Sequence, residues 1–212
     1  MIKRIGTLAS IFVAATLSLA AAAHAESVAP DKIIRSAIDE ARADISTNVA
    51  TYQKDKNALY AMVDKTIVPH FDTEYIAKVI LGTHLKSATP EQIGQFGDAF
   101  KDMLIRAYAD KLLEYYDGIE IEIKPARVDG KKANVDTTIV RKDGKPPIPI
   151  QFSMRDSSGE WKIWDIKAEN ISLVLNYRTQ LDSEIKSKGI PTVIERLRKG
   201  EVKVDAAASP AP

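Results

Sequence analysis

Three kinds of side chain could do chemistry in this chain, and their spacing limits what that chemistry is. Beyond the first 25 residues histidine occurs only at His70 and His84, on either side of a short helical pattern. That placement suits a cap or a surface position better than a pair of metal ligands. Asp165 lies in an apolar strand pattern, where burial would raise its pKa, and a donor among Tyr108, Tyr115, Tyr116 and Tyr177 could complete an acid-base pair. The preferred reading of this aspartate is a carboxylate bound to backbone donors or the mark of a bulge, and of the tyrosines core residues with hydroxyls at the rim. Cysteine is absent, which removes thiol nucleophiles, thiolate metal sites, disulfides and a lipidated amino terminus. There is no glycine-rich phosphate loop, no nucleophile elbow, no His-Glu-x-x-His and no acidic calcium loop. No cofactor, no metal and no catalytic residue is expected.

The elements that would position these groups are strongly punctuated. Residues 31–44 put Ile33, Ile34, Ala37, Ile38 and Ala41 on one helical stripe, and Leu59, Met62, Val63 and Ile67 form a second that stops at Pro69. Asp72 is placed as an N-cap with Phe71 stapling onto Ile76, and the helix carrying Val79 ends at Gly82. Thr89-Pro90-Glu91-Gln92 is a capping box with proline at the first helical position, opening a helix to about residue 117. At 1.5 Å per residue that helix is about 40 Å long, with Phe96, Phe100, Leu104, Tyr108 and Leu112 on its stripe. From Gly118 the period switches to two, and turns at residues 128–131, 142–145 and 157–159 divide four strands, 119–123, 133–141, 148–154 and 161–168. Strict alternation in the last of these sets Asp165 with Trp161 and Ile163, against Trp164, Ile166 and Ala168. Helices over 172–186 and 191–199 close the chain. The expected class is α+β, a four-stranded antiparallel sheet cupped by about six helices.

The ends of the chain bear on where it works. Lys3 and Arg4, the apolar run of residues 11–23 and Ala23-His24-Ala25 make residues 1–25 an export signal, with cleavage expected before Glu26. Its removal takes away two cations and no acid, so the net charge moves from +1 to −1. Scattered lysines and arginines on a nearly neutral chain argue against nucleic acid, whose binding rests on many phosphate contacts. Residues 26–200 read as one domain and residues 201–212, rich in alanine and proline, as a disordered tail.

Several of these segments, taken in order, carry a resemblance. Leu59-Tyr60, Val68-Pro69-His70-Phe71-Asp72, Val79-Ile80-Leu81-Gly82 and Ala88-Thr89-Pro90-Glu91-Gln92 are followed by Leu104-Ile105-Arg106-Ala107-Tyr108, Gly159-Glu160-Trp161-Lys162-Ile163-Trp164-Asp165 and Ser172-Leu173-Val174-Leu175-Asn176-Tyr177-Arg178. Together they resemble the MlaC family of periplasmic phospholipid carriers, also called toluene-tolerance auxiliary proteins, across nearly all of the exported chain. Leu85 and Leu181 depart from the pattern, where aromatic residues are expected. The resemblance implies a nuclear-transport-factor-like fold with a helical annex and an apolar cavity for phospholipid tails. It implies shuttling between an outer-membrane lipoprotein complex and an inner-membrane ABC-transporter complex of the Mla pathway, which maintains outer-membrane lipid asymmetry. On that reading the candidate cavity walls are Val79, Leu104, Tyr108, Ile150, Phe152, Ile163, Val174 and Tyr177. The short helix of residues 72–81, hinged at Gly82, is the expected lid. The alternatives are a small isomerase or hydrolase using Asp165 with a tyrosine, and a lipid-free adaptor without a cavity.

Overall fold

The capping box forms as its four residues dictate. In a computed structural model, which describes residues 28–202, Thr89 Oγ1 accepts from the Gln92 amide at 3.2 Å and Gln92 Oε1 accepts from the Thr89 amide at 3.0 Å. They open α4, Pro90–Tyr115, the longest helix of the described residues. It is preceded by α1 (Pro30–Lys54), α2 (Lys56–Thr66) and α3 (Thr73–Leu81), and the chain closes on α5 (Leu173–Lys188) and α6 (Ile190–Lys199). Asp72 caps α3 by accepting from the Tyr75 amide at 3.0 Å, and Ser172 caps α5. The first helix runs ten residues past its expected end. Thr47 and Asn48, which read as a polar break, return their side chains to the carbonyls of Ala43 and Asp44 and leave the helix intact.

Between α4 and α5 lie six strands: β1 (Ile119–Ile123), β2 (Arg127–Asp129), β3 (Lys132–Arg141), β4 (Ile148–Ser157), β5 (Glu160–Ala168) and β6 (Ile171–Ser172). The sheet is antiparallel in the order β1-β3-β4-β5-β6, with β2 paired to the start of β3 and β1 to its end. The expectation of four strands therefore missed β2 and β6. With three and two residues they are too short to show an alternation of their own, and they fall where the sequence reads as turn and helix start.

A bulge changes the faces of β5. Ser153 pairs with Asp165 but Met154 with Ile163, so Trp164 is an extra residue on its strand. Ile163 and Ile166, an odd number apart, consequently both reach the same cavity, which strict alternation forbids. Beyond the bulge the free edge of β5 is taken by Phe71 and Asp72, whose amide donates to the Ile163 carbonyl at 2.8 Å. This contact seats the start of α3 against the sheet.

The core has three parts. One, the tightest, joins α3, α4, α5 and α6 around Phe96, Phe100, Tyr177, Leu181 and Leu197, with the Phe100 and Tyr177 rings edge to face at 4.9 Å. A second joins α1, α2 and α4 through Ile45, Tyr52, Leu59 and Ile105. A third sets Ile34 of α1 against Val135, Met154 and Ile163 of the sheet. Val202, the second residue of the expected tail, packs on the first of these clusters, and Glu201 accepts from Arg196. The expected export signal and residues 203–212 lie outside the described residues. Among the described residues no helix is long and apolar enough to cross a membrane.

Candidate functional site

The three core clusters do not close on one another, and the space between them is a cavity of about 420 Å³, within the usual size of ligand pockets. Its walls follow from the element patterns. Helix α1 presents Ala37, Ile38 and Ala41, and two alanines on an inward stripe leave room that larger side chains would fill. Helix α4 presents Leu104, Tyr108 and Leu112, and Phe100 of the first core cluster reaches the same wall. The sheet supplies Ile121, Ile139, Phe152, Ile163 and Ile166. Ile67, Val68 and Phe71 close one side.

Of the eight candidate wall residues, the structure brings Leu104, Tyr108, Phe152 and Ile163 together on this cavity. Val79, Val174 and Tyr177 are elsewhere, in the helical cluster of α3 to α6. Their stripes are inward, as expected, but α5 packs its stripe onto α3, α4 and α6 rather than onto open space. Ile150 is buried level with Ala168, where β5 turns toward β6, and is not on the cavity wall. The sequence reading assigned no wall to α1 or β1. Their signals were present, an alanine-isoleucine stripe with helical spacing and the alternating Ile119, Ile121 and Ile123.

The titratable groups on the wall are Arg42, His70, Lys101, Lys111 and three tyrosines besides, with no carboxylate among them. Burial opposes the charge of Lys101, yet hydrogen bonds to Asp64 at 2.5 Å and to Asp102 at 2.9 Å hold its amine above the usual lysine range. Asp165 is away from the cavity. It is 2% exposed, and its Oδ1 accepts from the Val174 amide at 3.1 Å, in the first turn of α5. Burial raises its pKa, partly offset by hydrogen bonds from Ser172 and from the Val174 backbone. It is a buried carboxylate held at a helix start, with no tyrosine hydroxyl paired to it. His84 Nε2 is 2.9 Å from Asp182 Oδ1, joining the segment after α3 to α5.

The family model described as "MlaC protein" matches residues 35–199. The chain belongs to the MlaC family. It is 27% identical over 173 residues to the intermembrane phospholipid transport system binding protein MlaC of Haemophilus influenzae, spanning 80% of this chain and 81% of that one. It is 29% identical over 162 residues to the toluene tolerance protein ttg2D of Pseudomonas putida, spanning 76% and 74%. Among solved structures, the phospholipid-binding protein of Ralstonia solanacearum, determined in complex with a phospholipid, superposes with a TM-score of 0.72 at 26% identity. That alignment covers 82% of this chain and 97% of that one. The MlaC-family segment thus includes every cavity-lining residue except Ile34.

Proposed function

We propose that this MlaC-family chain is a periplasmic phospholipid carrier, and that the cavity between α1, α4 and the sheet holds the acyl chains. The observation that carries this reading is the apolar wall itself, in a family whose relatives are named for phospholipid transport or were determined with a phospholipid bound. A diacyl lipid with about 30 methylenes would cost on the order of 25 kcal/mol to expose to water, so unassisted passage across an aqueous gap is negligible. Bilayer and cavity are similar solvents for the tails. Transfer in either direction is therefore close to neutral, and the partners set its direction. Carriage needs no catalytic group, which accords with an Asp165 committed to the start of α5. The export signal, the nuclear-transport-factor-like arrangement of sheet and helices, and exchange with outer-membrane and inner-membrane complexes of the Mla pathway belong to the same reading.

A transfer assay tests it. Protein loaded with a fluorescent phospholipid from donor vesicles should deliver it to acceptor vesicles at a rate that rises with protein concentration. No transfer above that of vesicles alone contradicts the proposal.

A further inference from the structure

The end of the cavity where α4 runs into β1 is bordered by three cations, Arg42, Lys111 and Arg141. On β3, residues 133, 135, 137, 139 and 141 share one face of the sheet, and burial follows them: Ala133, Val135 and Thr137 are buried and Ile139 is on the cavity wall. The row ends at Arg141, paired with Ile119 one rung beyond Ile139 and Ile121. An inward row of apolar residues that finishes in an arginine is unusual, and here the guanidinium is not fully used. Its side chain is 14% exposed, Nη2 donates to the Pro146 carbonyl at 2.9 Å, and Nε is buried with no hydrogen-bond partner. The Asp143 carboxylate stands 3.8 Å from Nε, too far for a hydrogen bond. From α1, Arg42 donates to the carbonyl of Ile119 at 3.2 Å, the residue whose backbone pairs with Arg141. Lys111, on the wall one turn before Tyr115, stands at the same end of α4. Among the described residues neither Arg42 nor Lys111 has an ion-pair partner, whereas Lys101, farther along the wall, has two.

We propose that Arg42, Arg141 and Lys111 bind the phosphate of the lipid whose tails fill the cavity, so that the carrier selects phosphate-bearing amphiphiles over neutral ones. This rests on the carrier reading and adds to it a polar anchor. A guanidinium fork matches two phosphate oxygens, and an anion here would complete the buried Nε of Arg141, which otherwise forfeits its hydration without return. Arg42 and Lys111 lie on the same cavity wall as the apolar residues, and Arg141 ends the inward row that carries Ile139. The anion they suit is therefore one attached to the tails rather than one arriving on a separate molecule.

The experiment equilibrates the exported chain with vesicles containing equal amounts of phosphatidylethanolamine and a diacylglycerol with the same acyl chains, re-isolates it and counts both lipids. Wild type should take the phospholipid in excess of about tenfold, the factor that one charge-assisted hydrogen bond supplies. The Arg42→Gln/Arg141→Gln variant should fall to within about twofold of parity through lost phospholipid uptake, and Lys111→Gln should lower the ratio less because Lys111 is exposed. Arg141→Lys, which keeps the charge without the fork, should lie between. Circular dichroism melting checks each fold, and if the double variant fails to fold, the half-buried Arg42→Gln alone should reduce the ratio severalfold. A double variant with the wild-type preference overturns the proposal and leaves these cations to an acidic partner surface. So does a wild-type protein that takes both lipids equally. A wild-type protein that takes neither defeats the carrier reading itself, a separate result.

Discussion

At the scale of residues, the cavity is made as much by small side chains as by large ones. Ala37 and Ala41 leave space on α1 that Ile38 and, across from it, Leu104 border. Ile38→Trp and Leu104→Trp should each occupy that space and reduce bound phospholipid severalfold while the protein still folds, because the added ring enters a void rather than a packed core. Lipid content by extraction, with a melting curve for each variant, checks this. Asp165 makes a different prediction. Its pKa is raised by burial, so the folded state favours the protonated form: the stability this confers is fully present below the carboxyl's ordinary pKa of 3.8 and is lost as pH rises through the higher folded value. Asp165→Asn keeps an oxygen for the Val174 amide and cannot ionise. The stability difference between this variant and wild type should therefore move in favour of the variant as pH rises from about 4 to neutrality, measured by urea unfolding. Asp165→Ala, which removes the acceptor, should instead cost about 1 kcal/mol at neutral pH.

At the scale of elements, what the sequence disclosed depends on whether a local rule had a competitor. The capping box at Thr89, the caps at Asp72 and Ser172, and the alternating isoleucines of β1 are local, and they stand where the residues place them. The bulge at Trp164 was readable only through Asp165, a carboxylate out of place on an apolar face; which residue is the extra one is decided by the register of the partner strand. The same cause hid the cavity: which inward stripe meets another stripe and which meets open space is decided by long-range packing, so Val174 and Tyr177 look like Leu104 in sequence. The short helix α3, expected as a lid, lines the cavity with Thr73 and Ile76 and packs the rest of its apolar face into the α3 to α6 cluster, with Ala77 and Leu81 wholly buried. A Cβ on Gly97 of α4 would come within 3.3 Å of the Thr73 carbonyl at its start. Gly97→Leu should wedge α3 from α4 and cost about 1–3 kcal/mol, read as a melting temperature lower by several degrees. An unchanged melting temperature would show that α3 is free to give way and would restore it as the lid. Helix α1 spans the cavity between its contacts at Ile34 and at Ile45, which makes it the element with most to gain from movement.

At the scale of the whole molecule, the fold separates two duties. Helices α3 to α6 pack on one another around Phe96, Tyr177 and Leu181, as an ordinary core does, and meet the cavity only at its border, through Phe100 and Ile76 among others. Helix α1, the other face of α4 and the sheet stand apart around a chamber of about 420 Å³ that no side chain of the described residues fills. Leaving apolar surface around a void costs stability, of the order of 20 cal/mol per Å² of cavity surface, unless a ligand covers it. The occupant is therefore part of the folded protein, and its removal should lower the melting temperature. The most direct measurement is mass spectrometry of the organic extract of the natively folded protein, purified without detergent. Phospholipid in near-stoichiometric amount is expected, falling severalfold in Leu104→Trp. An extract of folded wild-type protein that contains no phospholipid would contradict it.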